Sequence, residues 1–189
     1  MKRIFFLFVF LVPVMLFAQR AGEYKKYHDE GRKCVLQGEY QKGVAYFDTA
    51  ASIMPYYALV YQDRAYAHMQ LHNYQSALND FDQALKMKPF LHDLYLQKGV
   101  AMFHLGRYSE ARIQLQNFWA ENPDNVMVND YLRFTEQALM LQEKKREDEL
   151  NKYQFEQERY RWERAREREQ IIWNTVLPLT FWTVVFLSW

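Results

Sequence analysis

The sequence predicts an all-α fold: a solenoid of paired helices, then a long charged helix, then a hydrophobic C-terminal helix. Three observations predict it. A pattern of ring-bearing and small residues recurs in register every 34 residues, a charge-dense stretch free of glycine and proline follows it, and the last stretch, 171–189, carries no charge.

Residues 1–18, "MKRIFFLFVFLVPVMLFA", place two cations before an apolar run from Ile4 to Phe17 and a small residue, Ala18. That three-part layout is a secretory signal, with cleavage expected between Ala18 and Gln19. The run is short for a spanning helix and Pro13 interrupts it, although an uncleaved anchor is the alternative.

The repeats come next. "GEYQKGVAYFDTAASIMP" at 38–55 aligns with "HNYQSALNDFDQALKMKP" at 72–89 and "GRYSEARIQLQNFWAENP" at 106–123. Tyr27, Tyr61 and Tyr95 form one column, and Gly31, Ala65 and Gly99 a second. Tyr40, Tyr74 and Tyr108 form a third, and Gly43, Ala77 and Ala111 a fourth. Phe47, Phe81 and Leu115 are followed by Pro55, Pro89 and Pro123. A fixed period of this length marks stacked supersecondary units. Each unit divides into two helices joined near Gly38–Glu39, His72–Asn73 or Gly106–Arg107, with glycine where a helix ends. The two small columns let paired helices approach closely. Each proline stops its helix and moves the residue before it (Met54, Lys88 or Asn122) out of the α region.

These columns resemble the tetratricopeptide repeat over residues 24–125, in units 24–57, 58–91 and 92–125. Departures are Glu30 and Arg64 in place of an apolar residue, Gly43 in place of alanine, and Phe118 in place of a small residue. The resemblance implies a groove lined by the first helix of each pair, built to bind a protein or peptide. Carried over position by position, the lining is Lys25, His28, Arg32 and Val35, then Leu59, Gln62, Tyr66 and Met69, then Asp93, Leu96, Val100 and Phe103. Such a groove is basic at one end and apolar-aromatic at the other. Family members that clamp a C-terminal carboxylate use a Lys/Asn/Arg set. The comparable places here hold His28, Arg32, Asp63, Asp93 and Gln97, which departs from that set.

Residues 126–142 keep apolar residues at Val128, Tyr131, Leu132, Ala138 and Leu139 without a second turn signal, and read as a capping helix. The arm, 143–170, holds nine Lys/Arg and nine Asp/Glu between Glu143 and Glu169. Pairs such as Asp148–Lys152 and Arg159–Glu163 suit a solvated helix. Leu150, Tyr153 and Tyr160 fall to one side and Phe155 and Trp162 to the other, so no sustained coiled-coil seam is present, and a homo-oligomer through this arm is a secondary expectation. The tail "IIWNTVLPLTFWTVVFLSW" would reach about 28 Å as a helix, enough to cross a hydrocarbon core, with Trp173 and Trp189 near its ends.

Composition narrows the function. A net charge of +1 and an arm whose acids interleave its bases give no basis for nucleic-acid binding. One cysteine, Cys34, excludes an internal disulfide framework. His68 and His72 are four apart but supply half of a tetrahedral shell, so no metal is expected. No phosphate loop, nucleophile elbow or cofactor motif appears, and no catalytic residue is expected. The expectation is a non-enzymatic interaction scaffold, exported to a bacterial periplasm and membrane-anchored through 171–189. Two alternatives stand beside it. One is a cytosol-facing, tail-anchored adaptor similar to the mitochondrial fission adaptors, consistent with the arginines at 159, 161, 164, 166 and 168 just before the tail. The other is a structural oligomerisation factor acting through the arm.

Overall fold

The computed structural model describes the backbone of residues 2–176 and the side chains of 18–175. Among the described residues all regular structure is helical: α1 Lys2–Leu36, α2 Tyr40–Ile53, α3 Ala58–Gln70, α4 Tyr74–Met87, α5 Asp93–His104, α6 Tyr108–Trp119 and α7 Val126–Ile171, then a π-helical turn, Ile172–Val176. The chain divides into two compact units between Leu139 and Met140. The first holds the pairs α1/α2, α3/α4 and α5/α6 and the opening turns of α7. The second holds the rest of α7 and the π-turn.

Three chain reversals share one device. Gly38, His72 and Gly106 stand 34 residues apart and adopt φ of 78°, 57° and 74°. In each turn the next amide reaches back five residues: Glu39 N–H to the Cys34 carbonyl (2.9 Å), Asn73 to His68 (2.9 Å) and Arg107 to Met102 (2.9 Å). That bond satisfies a carbonyl the helix end leaves free. The next position in the column is Met140, which lies within α7, so the chain does not reverse there.

The small-residue columns do the packing work expected of them. A Cβ on Gly31 would lie 2.6 Å from the Phe47 ring, one on Gly99 2.7 Å from Leu115, and one on Gly43 2.9 Å from Val35. Ala65, Ala77, Phe47 and Leu115 are fully buried. Phe118, out of pattern in sequence, packs with Val128 of α7, Leu96, Val100 and Leu115, so the large residue fills the space next to the cap.

The proline ends carry a second latch. Met54 and Lys88 are extended, with φ/ψ of −134°/79° and −137°/83°. Tyr61 donates its hydroxyl to the Pro55 carbonyl (3.0 Å), and Tyr95 donates to Pro89 (3.4 Å). In the cap Asn129 takes the tyrosine's place and donates to Pro123 (3.0 Å). Asn125 caps α7, its Oδ1 accepting from the Val128 amide at 3.1 Å.

A charge ladder that the sequence columns did not reveal joins successive units. Arg64 donates through Nε and Nη2 to Asp80 (2.9 and 2.6 Å) and through Nη1 to Asp48 of the preceding unit (2.6 Å). Lys98 repeats the second contact with Asp82, at 2.6 Å. Both cations reach an acid sixteen residues upstream. The Asp80 side chain is 6% exposed, so it depends on Arg64 for its charge balance. His68 lies 3.9 Å from Asp80, and burial holds its pKa below the ordinary imidazole value. His72 instead meets the Tyr74 hydroxyl at 2.7 Å. The two histidines thus serve different neighbours.

The predicted signal, 1–18, falls on the first half of α1, almost wholly where side chains are not described. Of the predicted membrane segment only 171–176 is described, and 177–189 lies outside the described residues. No helix among the described residues is long and apolar enough to cross a membrane. In the second unit Arg159 and Glu163 form the expected pair at 3.5 Å, and Phe155 and Trp162 are exposed.

Breaking the ladder tests its weight. Arg64→Met strands a buried carboxylate and should cost about 3–5 kcal/mol, while the Arg64→Met/Asp80→Leu double variant recovers most of that. Urea unfolding of both variants measures the difference.

Candidate peptide-binding groove

The first helices α1, α3 and α5 bring nine of the twelve sequence-predicted lining residues to exposed or half-buried positions and draw three into packing. Lys25 and Arg32 of α1 are exposed, and Val35 is half-buried. His28 is 8% exposed and stacks on Tyr24 with ring centroids 5.4 Å apart. Its Nε2 lies 2.9 Å from Asp63 Oδ2, and Arg32 Nε lies 3.7 Å from the same oxygen. From α3, Leu59 and Tyr66 are 45% and 49% exposed, and Gln62 and Met69 are half-buried. From α5, Asp93 is exposed and Phe103 is half-buried, edge-on to Tyr108 and Tyr131 at 5.5 Å each.

Leu96 and Val100 belong to the core instead. They are 6% and 7% exposed and pack with Leu115, Phe118 and Val128, so neither offers a side chain to a ligand. The apolar end of the predicted groove is accordingly narrower than the register implied, and rests on Phe103, Tyr66 and Leu59.

Two contributors escaped the sequence reading. Leu36, 87% exposed, lines a cavity of about 180 Å³ together with Arg32, Val35, Phe47, Asp63 and Tyr66. Leu36 stands four residues after Arg32, so helical spacing was the signal that could have found it. Phe47, a residue of the packed column on α2, forms part of the wall. Asp63, noted in sequence only as a departure, is the centre of the groove's charge.

Beside that carboxylate lies Tyr24, buried, tilted against Tyr57 at 4.9 Å, its hydroxyl without a hydrogen-bond partner among the described residues. Burial first, and the negative charge of Asp63 second, push its pKa up to about 12. Because the folded value exceeds the ordinary 10, the neutral phenol favours the fold below pH 10, and that contribution is lost as pH rises from 10 towards 12. Tyr24→Phe should leave stability at pH 7 unchanged or slightly raised and reduce the fall in melting temperature between pH 10 and 12. Thermal melts across that range check both.

A tetratricopeptide-repeat family model matches residues 63–125. The first TPR of Spaghetti (RPAP3) bound to HSP90 peptide SRMEEVD is 24% identical, covering 63% of this chain and 94% of its own, with a TM-score of 0.59. The Arabidopsis OM64 TPR domain is 21% identical over 62% of this chain and 98% of its own (TM-score 0.59). The second TPR domain of human RPAP3 in complex with HSP70 peptide SGPTIEEVD is 21% identical over 63% and 97% (TM-score 0.56). No curated protein sequence matches the chain. The family match covers residues 63–125, and over the first unit the chain shares the paired-helix solenoid fold of these tetratricopeptide-repeat domains.

Proposed function

We propose that this chain is a non-enzymatic interaction module whose groove grips an extended or helical segment of another polypeptide, exported and tethered to a membrane through 171–189. The observation that carries the groove reading is the half-exposed Tyr66 on the wall of a cavity lined from α1, α2 and α3, with Leu59 exposed two turns earlier on the same helix. Large apolar side chains gain by burial at about 25 cal/mol per Å², and aromatic residues beside a pocket are the usual anchors of an interface. Structural neighbours of this unit hold chaperone peptides, which supports a polypeptide as the ligand class.

A photo-crosslinking residue at position 66, in the native membrane, should capture a polypeptide, and Leu59→Asp should abolish the adduct. The same probe at Gln83, exposed on α4, should not capture it. Equal capture at both positions would sink the groove.

Export is supported by the N-terminal layout of cations, apolar run and Ala18. Protease added to intact cells should leave the repeats whole and cut them once the outer membrane is permeabilised, with a cytosolic marker spared. Repeats that survive until the inner membrane is broken would favour the cytosol-facing adaptor.

A further inference from the structure

Asp63 places a carboxylate beside the α1 side chains that a ligand carboxylate would otherwise meet, with Oδ2 2.9 Å from His28 Nε2 and 3.7 Å from Arg32 Nε. A second carboxylate brought to Arg32 would sit close to the first. Like charges at 4 Å repel by about 1 kcal/mol in water and about 4 kcal/mol at an effective dielectric of 20. The other two first helices, α3 and α5, add no uncommitted Lys or Arg. On α5 the groove shows Asp93, and Gln62 and Gln97 are neutral. Arg64 and Lys98 are committed to Asp80, Asp48 and Asp82.

The cavity beside this pair is apolar on Val35, Leu36, Phe47 and Tyr66 and holds about 180 Å³. A cavity of roughly 150 Å³ accepts a benzene ring, so one ring or one branched aliphatic side chain fits. At its edge Arg32 supplies a donor and Asp63 an acceptor, the complement of the C=O and N–H of a peptide unit.

The geometry points to an internal stretch of another polypeptide as the ligand, with an aromatic or branched aliphatic side chain in this cavity, its main chain bonded by Arg32 and Asp63, and no acidic residue or free C-terminal carboxylate beside it. This rests on the groove reading above and separates the chain from neighbours that hold peptides ending in EEVD.

Fluorescence anisotropy on the full chain in detergent tests it with three probes. They are SRMEEVD with a free carboxylate, the same peptide amidated, and a positional hexapeptide library acetylated and amidated at its ends. Wild type should select Leu, Ile, Phe or Tyr at one library position and reject Asp or Glu next to it at least fivefold. It should bind SRMEEVD no tighter than the amide. Asp63→Asn should bind free-carboxylate SRMEEVD about tenfold tighter than wild type, the equivalent of about 1.4 kcal/mol. Arg32→Gln, at an exposed position, should weaken the best library peptide about fivefold without changing its preferred residue. A wild-type preference of fivefold or more for the free carboxylate, or for acidic library members, overturns this inference alone, whether or not Asp63→Asn folds. Absence of binding by any library member overturns it together with the groove reading.

Discussion

Close approach between a large buried side chain and a position that carries at most a methyl group is the constraint on which the repeat unit depends. Phe47 over Gly31 and Leu115 over Gly99 set how near the two helices of a pair can come. The middle pair meets the same demand with Ala65 and Phe81, both buried. Overpacking a contact of this kind costs typically 1–3 kcal/mol, because neither helix can retreat without opening its other interface. The spacing also decides where the first helices stand, and therefore how wide the cavity lined from α1 and α3 is.

Stacking of one pair on the next uses different chemistry. The tyrosine-to-proline-carbonyl latch fixes the angle at which each new pair begins, and the cation reaching sixteen residues upstream fixes its register. The sequence reading treated Arg64 as a departure from an apolar norm. Its long stem and planar head explain the exchange, since one guanidinium satisfies two carboxylates on two helices. Further on, Leu132 stands where Arg64 and Lys98 would recur, and Arg133 where a small residue would be needed. The cap keeps the latch and drops the other two devices, which is how a repeated pattern ends in one unpaired helix.

Much of this was legible because a 34-residue period is written in single residues: glycine at a left-handed turn, proline after a helix, small opposite large. The charge ladder was not, since its partners belong to separate helices and leave no local rhythm. Nor was the depth of His28, Leu96 and Val100. Neighbouring positions on a helix differ by about 100° in direction, so groove and core lie a residue apart on the same surface. Register alone could name the face but not which side chains on it were already spoken for. Leu36 shows the reverse error, being left out by the last step of a pattern that it continues.

The first unit carries Glu30 at the ladder position held by Arg64 and Lys98 in the next two. Were the units rearranged, the second and third could each follow a neighbour that offers Asp48 or Asp82, because either supplies the matching cation. The first could not follow such a neighbour without setting acid against acid. The array thus has a polarity encoded in charge, independent of its shape, and shuffled or duplicated versions of it would tolerate insertion between units but resist growth ahead of the first.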